Sequence, residues 1–226
     1  MARTTRDERS QTLSDLHSYS VILKTRDVFL HSVHEHEEEI GVDYRQSNIF
    51  IKNLHMLNHL STDPILVHMQ SIGGDWYNGV AMMNAIQFSK ADVSILSYAQ
   101  ASSMTGILLQ AAKTRVMMPD CHFMMHYGTT DVYGGEHPLA VQQAVELEKR
   151  DCKKMLMFFA ERAINGKYFK EKRASKVEYA YNFFETKLKE KIDWYLDAEE
   201  AVYYGLADGV LGDRKFKDLD TLKGIK

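Results

Sequence analysis

Hydrophobic residues in the middle of the chain follow a strand, turn and helix pattern that occurs twice. The first copy is the apolar run ILVHMQ (65–70), the glycine turn SIGGD and a segment with helical apolar spacing, WYNGVAMMNAIQFSK (76–90). The second copy is DVSILSYAQ (92–100), the turn ASSMTG and the helical segment ILLQAAKT (107–114). Two such units in tandem predict parallel strands joined by right-handed crossovers. We therefore expect an α/β fold.

Similar patterns on either side of this pair predict further elements. The run DVFLHS (27–32) predicts a strand, and SNIFIKNLHMLNHLST (47–62) predicts an amphipathic helix. Downstream, TRVMMPDCHFMMHYG (114–128) predicts two short strands separated at Pro119-Asp120, and residues 138–164 predict one long amphipathic helix. Strands and helices are thus predicted along most of the chain.

The polarity of the chain changes near both ends. Residues 1–24 are polar and carry charges of both signs, which predicts a flexible N-terminal arm. We interpret residues 25–211 as one domain and residues 212–226 as a frayed C-terminal tail. With 226 residues, 45% of them hydrophobic, the chain can bury a sizeable core.

Charge and hydropathy argue against two classes of partner. A formal net charge of −3 gives the chain no general attraction to phosphate backbones, so nucleic acid is not expected as a partner. No apolar run approaches the roughly 20 residues that span a bilayer, and the first residues lack the apolar centre of a secretory signal. We therefore predict a cytoplasmic protein with no membrane partner.

Cysteine and histidine positions do not predict a metal site. Cys121 and Cys152 are too few for a disulfide framework and lack the Cys-x-x-Cys spacing of zinc ligands, so we interpret both as reduced core residues. His34 and His36 lie among acidic residues in HSVHEHEEEI, which favours a solvated surface over a set of ligands. We predict neither a metal nor another cofactor.

Two serines, Ser102 and Ser103, lie at the turn between the second predicted strand and its helix. Serine is a favoured N-cap residue, and this stretch alone favours a cap. However, the carboxyl ends of adjacent parallel strands meet in one crevice, so this turn should face the same cleft as Gly73 and Gly74. A hydroxyl at that position is also a candidate nucleophile.

A nucleophilic serine needs a base, a carboxylate that orients the base, and amides that bind the oxyanion. Gly73 and Gly74 can bring bare backbone amides against a substrate carbonyl, and the amide of Met104 follows Ser103 directly. These amides predict a two-amide oxyanion hole. His126 is a candidate base because it ends a predicted strand, although it is one of ten histidines.

Four blocks of the sequence, taken in order, resemble the ClpP peptidases. The turn MQSIGGD resembles their Ser-Pro-Gly-Gly turn, and DVSILSYAQASSMTGILL resembles their Ala-Ser-Met nucleophile turn. PDCHFMMHYG resembles their Met-Ile-His strand, and IDWYLDAEEAVYYGLADGVL resembles the block that follows their catalytic Asp. The blocks cover about 65–128 and 192–210, and their order is more specific than any single motif.

This resemblance implies a role for each site residue. It implies that Ser103, rather than Ser102, is the nucleophile, that His126 is the general base and that Asp193 is the orienting carboxylate. It implies that the amides of Gly74 and Met104 form the oxyanion hole. The implied activity is that of a serine endopeptidase that hydrolyses unfolded or short polypeptides through an acyl-enzyme, with no metal or other cofactor.

The resemblance also implies an architecture and partners. Members of the family have a crotonase-like α/β fold with a projecting handle, here about residues 129–191. Their handles interlock two seven-membered rings around a chamber, and ATP-driven unfoldases feed polypeptides through axial pores gated by the N-terminal segments. We therefore expect a homo-oligomer with an unfoldase as partner.

The chain departs from the family pattern at three places, and two alternative functions stay open. Ile72 replaces the usual Pro of the glycine turn, and Ile192 replaces the usual Arg before Asp193. Residues 127–138 differ from the family's glycine-rich substrate strand, so the sequence does not decide whether Gly134 and Gly135 correspond to glycines of that strand. One alternative is a crotonase-type enzyme acting on coenzyme A thioesters, which needs no nucleophilic serine. The other is a catalytically silent ring subunit that assembles with an active relative.

Overall fold

The protein forms one sheet surrounded by helices in a computed structural model, which describes residues 6–31, 41–129 and 137–224. Eight strands are described: β1 (Val21–Ile22), β2 (Asp27–His31), β3 (Ile65–Ser71), β4 (Val93–Ser102), β5 (Thr114–Met117), β6 (His122–Met125), β7 (Trp194–Leu196) and β8 (Gly209–Val210). The helices within those ranges are α1 (Arg6–Tyr19), α2 (Tyr44–Leu60), α3 (Trp76–Gln87), α4 (Met104–Ala111), α5 (Pro138–Ala163), α6 (Lys167–Glu171), α7 (Val177–Lys191), α8 (Ala198–Tyr203) and α9 (Leu219–Leu222).

The sheet confirms the expected α/β fold with parallel strands. Its order in space is β1-β2-β3-β4-β5-β8, and the neighbours from β2 to β8 along this path are parallel. The two predicted strand, turn and helix units are β3 with α3 and β4 with α4. Asp75 begins the first of these helices as a true cap, since its carboxylate accepts a hydrogen bond from the Asn78 amide.

β4 changes its neighbour along its length, and this change positions the candidate site. Residues Ser94 to Ser97 pair with β5, whereas Gln100 to Ser102 pair with β6 in parallel register. β7 then pairs with β6 in antiparallel register, with Met125 opposite Trp194. The ends of β4 and β6 and the start of β7 therefore meet at one place.

Hydrophobic residues pack on both faces of the sheet. Because successive residues of a strand point to opposite faces, Val67 and Ile95 lie in the main core, while Leu66 and Leu96 lie in a smaller cluster on the other side. The main core extends into α5 and α7 through Phe159 and Phe184 and other buried residues. The predicted long helix at residues 138–164 is confirmed by α5.

The N-terminal segment differs from the flexible arm predicted for residues 1–24. Residues 6–19 form α1, and β1 follows and pairs with β2 in antiparallel register. Asn53 of α2 donates a hydrogen bond to the Tyr19 carbonyl at 2.6 Å, which ties the end of α1 to the domain. The hydropathy pattern did not indicate α1, because this helix lacks an apolar stripe and its attachment depends on polar and strand contacts.

The C-terminal segment also differs from the frayed tail predicted for residues 212–226. It contains α9, and Phe216 and Leu222 are buried in the smaller cluster on the sheet. Lys223 Nζ lies 2.8 Å from Asp27 Oδ2 of β2. Phe216 and Leu222 pack this segment against the sheet. Two apolar residues in a charged stretch do not change its average composition, so the composition did not predict their burial.

The described residues contain neither a membrane-spanning helix nor a cluster of metal ligands. Within residues 6–31, 41–129 and 137–224, no helix is both long and apolar enough to cross a membrane. Across those ranges, no group of three His, Cys, Asp or Glu side chains is arranged to hold a metal ion. His34, His36, Gly134 and Gly135 lie outside the described residues.

Candidate active site

Ser103 lies in a sharp turn between the end of β4 and the start of α4. Its backbone has φ 52° and ψ −122°, a conformation that residues with a side chain rarely adopt. Its amide donates to the Met124 carbonyl at 2.9 Å, which fastens the turn to β6. This conformation turns the hydroxyl away from the helix start, and among the described residues it makes no capping hydrogen bond.

The polar contacts of the turn come instead from a neighbouring threonine. The Thr105 hydroxyl oxygen lies 2.8 Å from the carbonyl oxygens of both Ser71 and Ser102, which share its one proton, and it accepts from the Ser102 amide at 3.1 Å. Thr105 is fully buried, so these bonds join the glycine turn after β3 to the serine turn after β4. The two turns share one cleft, as predicted from the parallel strands.

His126 joins Ser103 to Asp193. Its Nε2 lies 2.7 Å from Ser103 Oγ, and its Nδ1 lies 3.2 Å from Asp193 Oδ1. The antiparallel register of β6 and β7 explains this geometry, because pairing Met125 with Trp194 brings the next pair, His126 and Asp193, side by side. The structure thus brings together three residues that are far apart in sequence.

The glycine turn can hold its shape only with glycine. Gly73 has φ +107°, and a Cβ there would lie 2.6 Å from Ser103 Cβ. Gly74 has φ +138°, and a Cβ there would lie 2.4 Å from the Val42 backbone. Ile72, where the family has Pro, is partly exposed and leaves this backbone arrangement in place.

Two backbone amides are available beside Ser103. The bridge to Val42 uses the Gly73 carbonyl and the Asp75 amide, so the amide of Gly74 points away from Val42. Met104 is the first residue of α4, and the amides of a first helical turn have no acceptor within the helix. Gly74, Met104, Ser103 and His126 all line one cleft. Gly73, Ser102 and Asp193 are not among the residues that line it, and Asp193 contacts the Nδ1 of His126.

This cleft has a volume of about 670 Å³. One wall comes from the turns and from α4, with Met104 and Ile107 as apolar surface. The opposite wall comes from α5, whose Met155 also faces the cleft. A cleft of this size can hold several side chains of an extended peptide.

The two cysteines lie in different surroundings. Cys121 is fully buried, and burial raises the pKa of its thiol to about 11. Cys152 is half-buried in the cleft, where its thiol points at the Tyr127 carbonyl, with a sulfur to oxygen distance of 3.7 Å. Burial, followed by the charges of Glu148 and Asp151, raises the pKa of the Cys152 thiol. Both thiols therefore stay protonated at neutral pH, and both are free.

An aromatic cluster that the sequence analysis did not identify supports Asp193. Trp194, the next residue, is buried against Phe183, Phe184 and Tyr204, with ring centroids 5.2 to 6.2 Å apart. The cluster fixes the start of β7 and with it the backbone of Asp193. The helical spacing of Ala180, Phe184 and Leu188 was the signal that could have revealed this buried face.

Comparison with known proteins identifies the family. The family model described as Clp protease matches residues 9–214, which is most of the chain. The chain belongs to the Clp protease family. It is 26% identical over 215 residues to ATP-dependent Clp protease proteolytic subunit 2 of Treponema denticola, covering 94% of each chain. It is also 26% identical over 212 residues to the proteolytic subunit of Deinococcus radiodurans, covering 92% of this chain and 89% of that one.

A third relative extends the match over nearly the whole chain. Proteolytic subunit 1 of Salinibacter ruber is 26% identical over 230 aligned residues, which covers 99% of this chain and 82% of that one. The resemblance to the ClpP peptidases and the expected fold are therefore confirmed. The chain is a serine-type endopeptidase of the Clp type.

Proposed function

We propose that Ser103, His126 and Asp193 form a catalytic triad, and that the amides of Gly74 and Met104 form its oxyanion hole. The observation that carries this proposal is the continuous contact from Asp193 through His126 to Ser103, with 2.7 Å between Nε2 and Oγ. The hydroxyl at this turn bonds the imidazole instead of capping α4, which argues against the structural role that serine often has there. The substrates are unfolded or short polypeptides.

The geometry supports a two-step hydrolysis. His126 Nε2 takes the proton from Ser103 Oγ as the oxygen attacks the peptide carbonyl, and Asp193 holds the Nδ1–H of the imidazole and stabilises its cation. The carbonyl oxygen becomes an oxyanion that accepts from the two amides. When the C–N bond breaks, His126 returns the proton to the leaving amine, and water then hydrolyses the acyl-enzyme by the same route.

The assembly and location belong to the same proposal. We expect seven-membered rings with residues 129–191 as the handle, an ATP-dependent unfoldase as partner and a cytoplasmic location. Relatives named as ATP-dependent proteolytic subunits support the partner. The helix α5 supports the handle, because its first half is largely exposed while Met155 and Phe159 in its second half are buried.

Fluorophosphonate labelling followed by peptide mass spectrometry tests the nucleophile. We expect one adduct, on Ser103, in the parent and in Ser102→Ala, and none in Ser103→Ala, because Ser103 Oγ is hydrogen-bonded to the base His126. Ser102→Ala is the matched control, since it removes the neighbouring hydroxyl without touching the contact with His126. Peptide hydrolysis should follow the labelling in all three proteins.

Labelling of the parent and the activity of Ser103→Ala together distinguish the proposal from the two alternative functions. An absence of adduct in an assembled parent would contradict the proposal and favour a silent subunit. Full activity of Ser103→Ala on a coenzyme A thioester would instead favour a crotonase-type reaction, which uses the oxyanion hole without a nucleophilic serine.

A further inference from the structure

The two amides proposed for the oxyanion hole come from different turns. Gly74 lies in the turn after β3, whereas Met104 begins α4 after the turn at the end of β4. An oxyanion hole stabilises the developing charge only when both donors lie at hydrogen-bond distance from one oxygen. The separation of the two turns therefore affects catalysis, and contacts between the turns must fix it.

The strand pairing that leads to these turns is irregular. Met69 of β3 pairs with Ser97 of β4, but Ser71 pairs with Ala101, so β3 advances by two residues while β4 advances by four. A bulge of this kind bends a strand and interrupts the ladder of hydrogen bonds. The pairing of β3 with β4 therefore constrains the two turns less than an unbroken ladder would.

Thr105 bridges this irregular region with one hydroxyl. The hydroxyl oxygen lies 2.8 Å from the Ser71 carbonyl oxygen at the end of β3 and 2.8 Å from the Ser102 carbonyl oxygen at the end of β4. The Ser102 amide donates to the same oxygen at 3.1 Å. Thr105 is 0% exposed, so water cannot replace these bonds without a local opening of the fold. The hydroxyl thus connects the last residues of the two strands from which the turns start.

Ser71 extends this connection into the glycine turn. It is fully buried, and its hydroxyl oxygen lies 3.3 Å from the Gly73 amide nitrogen and 3.4 Å from the Gly73 carbonyl oxygen. A Cβ on Gly73 would lie 3.0 Å from the Met104 amide nitrogen, so the two turns pack closely here. A shift of either turn would therefore change the separation between the amides of Gly74 and Met104.

Ser103 has two contacts that do not involve Thr105. Its amide donates to the Met124 carbonyl at 2.9 Å, and its hydroxyl lies 2.7 Å from His126 Nε2. Met124 belongs to β6, and His126 follows that strand directly. Loss of the Thr105 hydroxyl should therefore move the glycine turn more than it moves the serine.

We infer that, given the proposed function, Thr105 is a positioning residue for the oxyanion hole. Its hydroxyl fixes the glycine turn relative to the serine turn and so sets the separation between the amides of Gly74 and Met104. Thr105 is not among the residues that line the cleft, and it takes part in no bond-breaking step. Its effect should appear in the stabilisation of the transition state, not in the binding of substrate.

Thr105→Val tests this inference in the assembled full-length protein. Valine keeps the branched shape of threonine but cannot donate to the Ser71 carbonyl. We expect kcat for a short peptide to fall by about tenfold to 100-fold, somewhat less than the roughly 100-fold to 1,000-fold that follows removal of an oxyanion donor. KM should change by less than about twofold. Thr105→Ser retains the hydroxyl and should restore most of the parental kcat.

Two further readouts separate positioning from a loss of stability. A peptide boronate forms a tetrahedral adduct on Ser103 that places an oxygen at the oxyanion position. Its inhibition constant should rise in Thr105→Val by the same factor as kcat/KM falls. The pH midpoint of kcat/KM should stay at the parental value, because the contacts of His126 with Ser103 and Asp193 remain.

Ser94→Ala is the matched control. Ser94 is buried, and its hydroxyl donates to the Leu222 carbonyl of α9 at 3.1 Å. This variant also removes a buried hydroxyl that bonds a backbone carbonyl, but Ser94 does not line the cleft. It should lower the free energy of unfolding, as Thr105→Val does, and keep the parental kcat and boronate affinity.

Ser71→Ala tests the same connection with a smaller change. It removes the hydroxyl beside the Gly73 amide and leaves the Thr105 bonds in place, so it should lower kcat less than Thr105→Val does, again with an unchanged KM. If Thr105→Val does not assemble, a parental kcat in Ser71→Ala overturns the inference.

The inference is wrong if assembled Thr105→Val keeps the parental kcat, or if Thr105→Ser loses as much activity as the valine variant. It is also wrong if Ser94→Ala loses as much kcat as Thr105→Val. Fluorophosphonate labelling of Ser103 in the parent, together with any of these results, overturns the positioning role alone. No labelling and no peptide hydrolysis in the assembled parent overturns the proposed triad and this inference with it.

Discussion

Ser103 holds a backbone conformation that costs roughly 1–3 kcal/mol in other proteins, and its surroundings compensate for that cost. The Met124 carbonyl accepts its amide, the Thr105 hydroxyl bonds both neighbouring turns, and the glycine turn lies against its Cβ. Each contact is weak alone. Together they fix the hydroxyl at hydrogen-bond distance from His126, so that it is pre-positioned for attack.

Gly73→Ala should disable the site without unfolding the chain. A Cβ at Gly73 would lie 2.6 Å from Ser103 Cβ, so the serine turn must shift. A displacement of about 1 Å of a reacting group can cost about 100-fold in rate, and we expect the rate of fluorophosphonate labelling to fall by at least that factor.

Gly212→Ala is the matched control for this variant. Gly212 also has a positive φ, +96°, but no atom lies within 4 Å of an added Cβ. The control therefore includes the backbone strain without the collision, and it should label at the parental rate. Equal labelling rates in the two variants would show that the contact between Gly73 and Ser103 does not position the nucleophile.

Some residues of the site could be predicted from the sequence, and others could not. Ser103 and Met104 are adjacent in one turn, and Gly74 lies in the turn after the neighbouring parallel strand. The proximity of the two turns therefore follows from the predicted parallel strands. The contact of His126 with Asp193 depends on the register of β6 and β7, which are about seventy residues apart along the chain. No spacing rule specifies such pairing, and only the family resemblance pointed to Asp193.

At the scale of elements, β5 and the segment after α8 are joined by a buried ion pair. Arg115 Nη2 lies 2.6 Å from Asp208 Oδ1, and the Arg115 side chain is only 6% exposed. Arg115 Nη1 also donates to the Gly205 carbonyl at 2.9 Å. These bonds attach β8 and α8 to the edge of the sheet, close to the β7 strand that begins after Asp193.

The same pair sets a pH dependence of stability. Burial raises the pKa of Asp208, but the hydrogen bonds and charge of Arg115 outweigh burial and hold that pKa below its ordinary value. A lowered folded-state pKa gives stability that is complete above the unfolded value, about 3.9, and is lost as the pH falls through the folded-state pKa.

Asp208→Asn should lower the free energy of unfolding by about 3 kcal/mol at pH 7, because it leaves a buried guanidinium without its counter-charge. It should also flatten the loss of stability below about pH 4. Denaturant unfolding at fixed protein concentration, from pH 7 to pH 3, measures both effects. Asp92→Asn removes an exposed pair with Lys113 and should change stability by less than about 0.5 kcal/mol. If the free energy of unfolding of Asp208→Asn falls between pH 7 and pH 3 as steeply as that of the parent, Asp208 does not set this pH dependence.

Elements with a clear hydrophobic period were predicted well, and those without one were not. Strands β2 to β6 and helices α2 to α5 follow apolar patterns that are visible in the sequence. Helices α1 and α9 attach through an amide at Asn53, a lysine at Lys223 and two isolated apolar residues. Polar and long-range attachments carry no periodic signal, which explains why the sequence did not predict α1 and α9.

At the scale of the whole molecule, α5 divides into a buried half and an exposed half. Met155, Leu156 and Phe159 pack into the main core, whereas Leu139 is 62% exposed and Val145 is 38% exposed. Apolar side chains grouped on an exposed helix are suited to contact with another protein surface. If the proposed handles interlock two rings, the handles of opposing rings would cover these side chains.

Replacing Leu139 and Val145 with Glu should therefore separate two rings without unfolding the chain. Neither side chain is buried in the single chain, so the substitutions should not lower the stability of the chain itself. They should weaken the contact between rings, because two carboxylates per chain would lie against apolar surface there. We expect sedimentation to show particles of about half the parental mass, with an unchanged unfolding profile of the remaining rings. Leu60→Glu, at the exposed end of α2 outside the handle, should sediment like the parent. If the double variant keeps the parental mass, α5 does not join rings, and the exposed half of this helix must serve a contact within one ring.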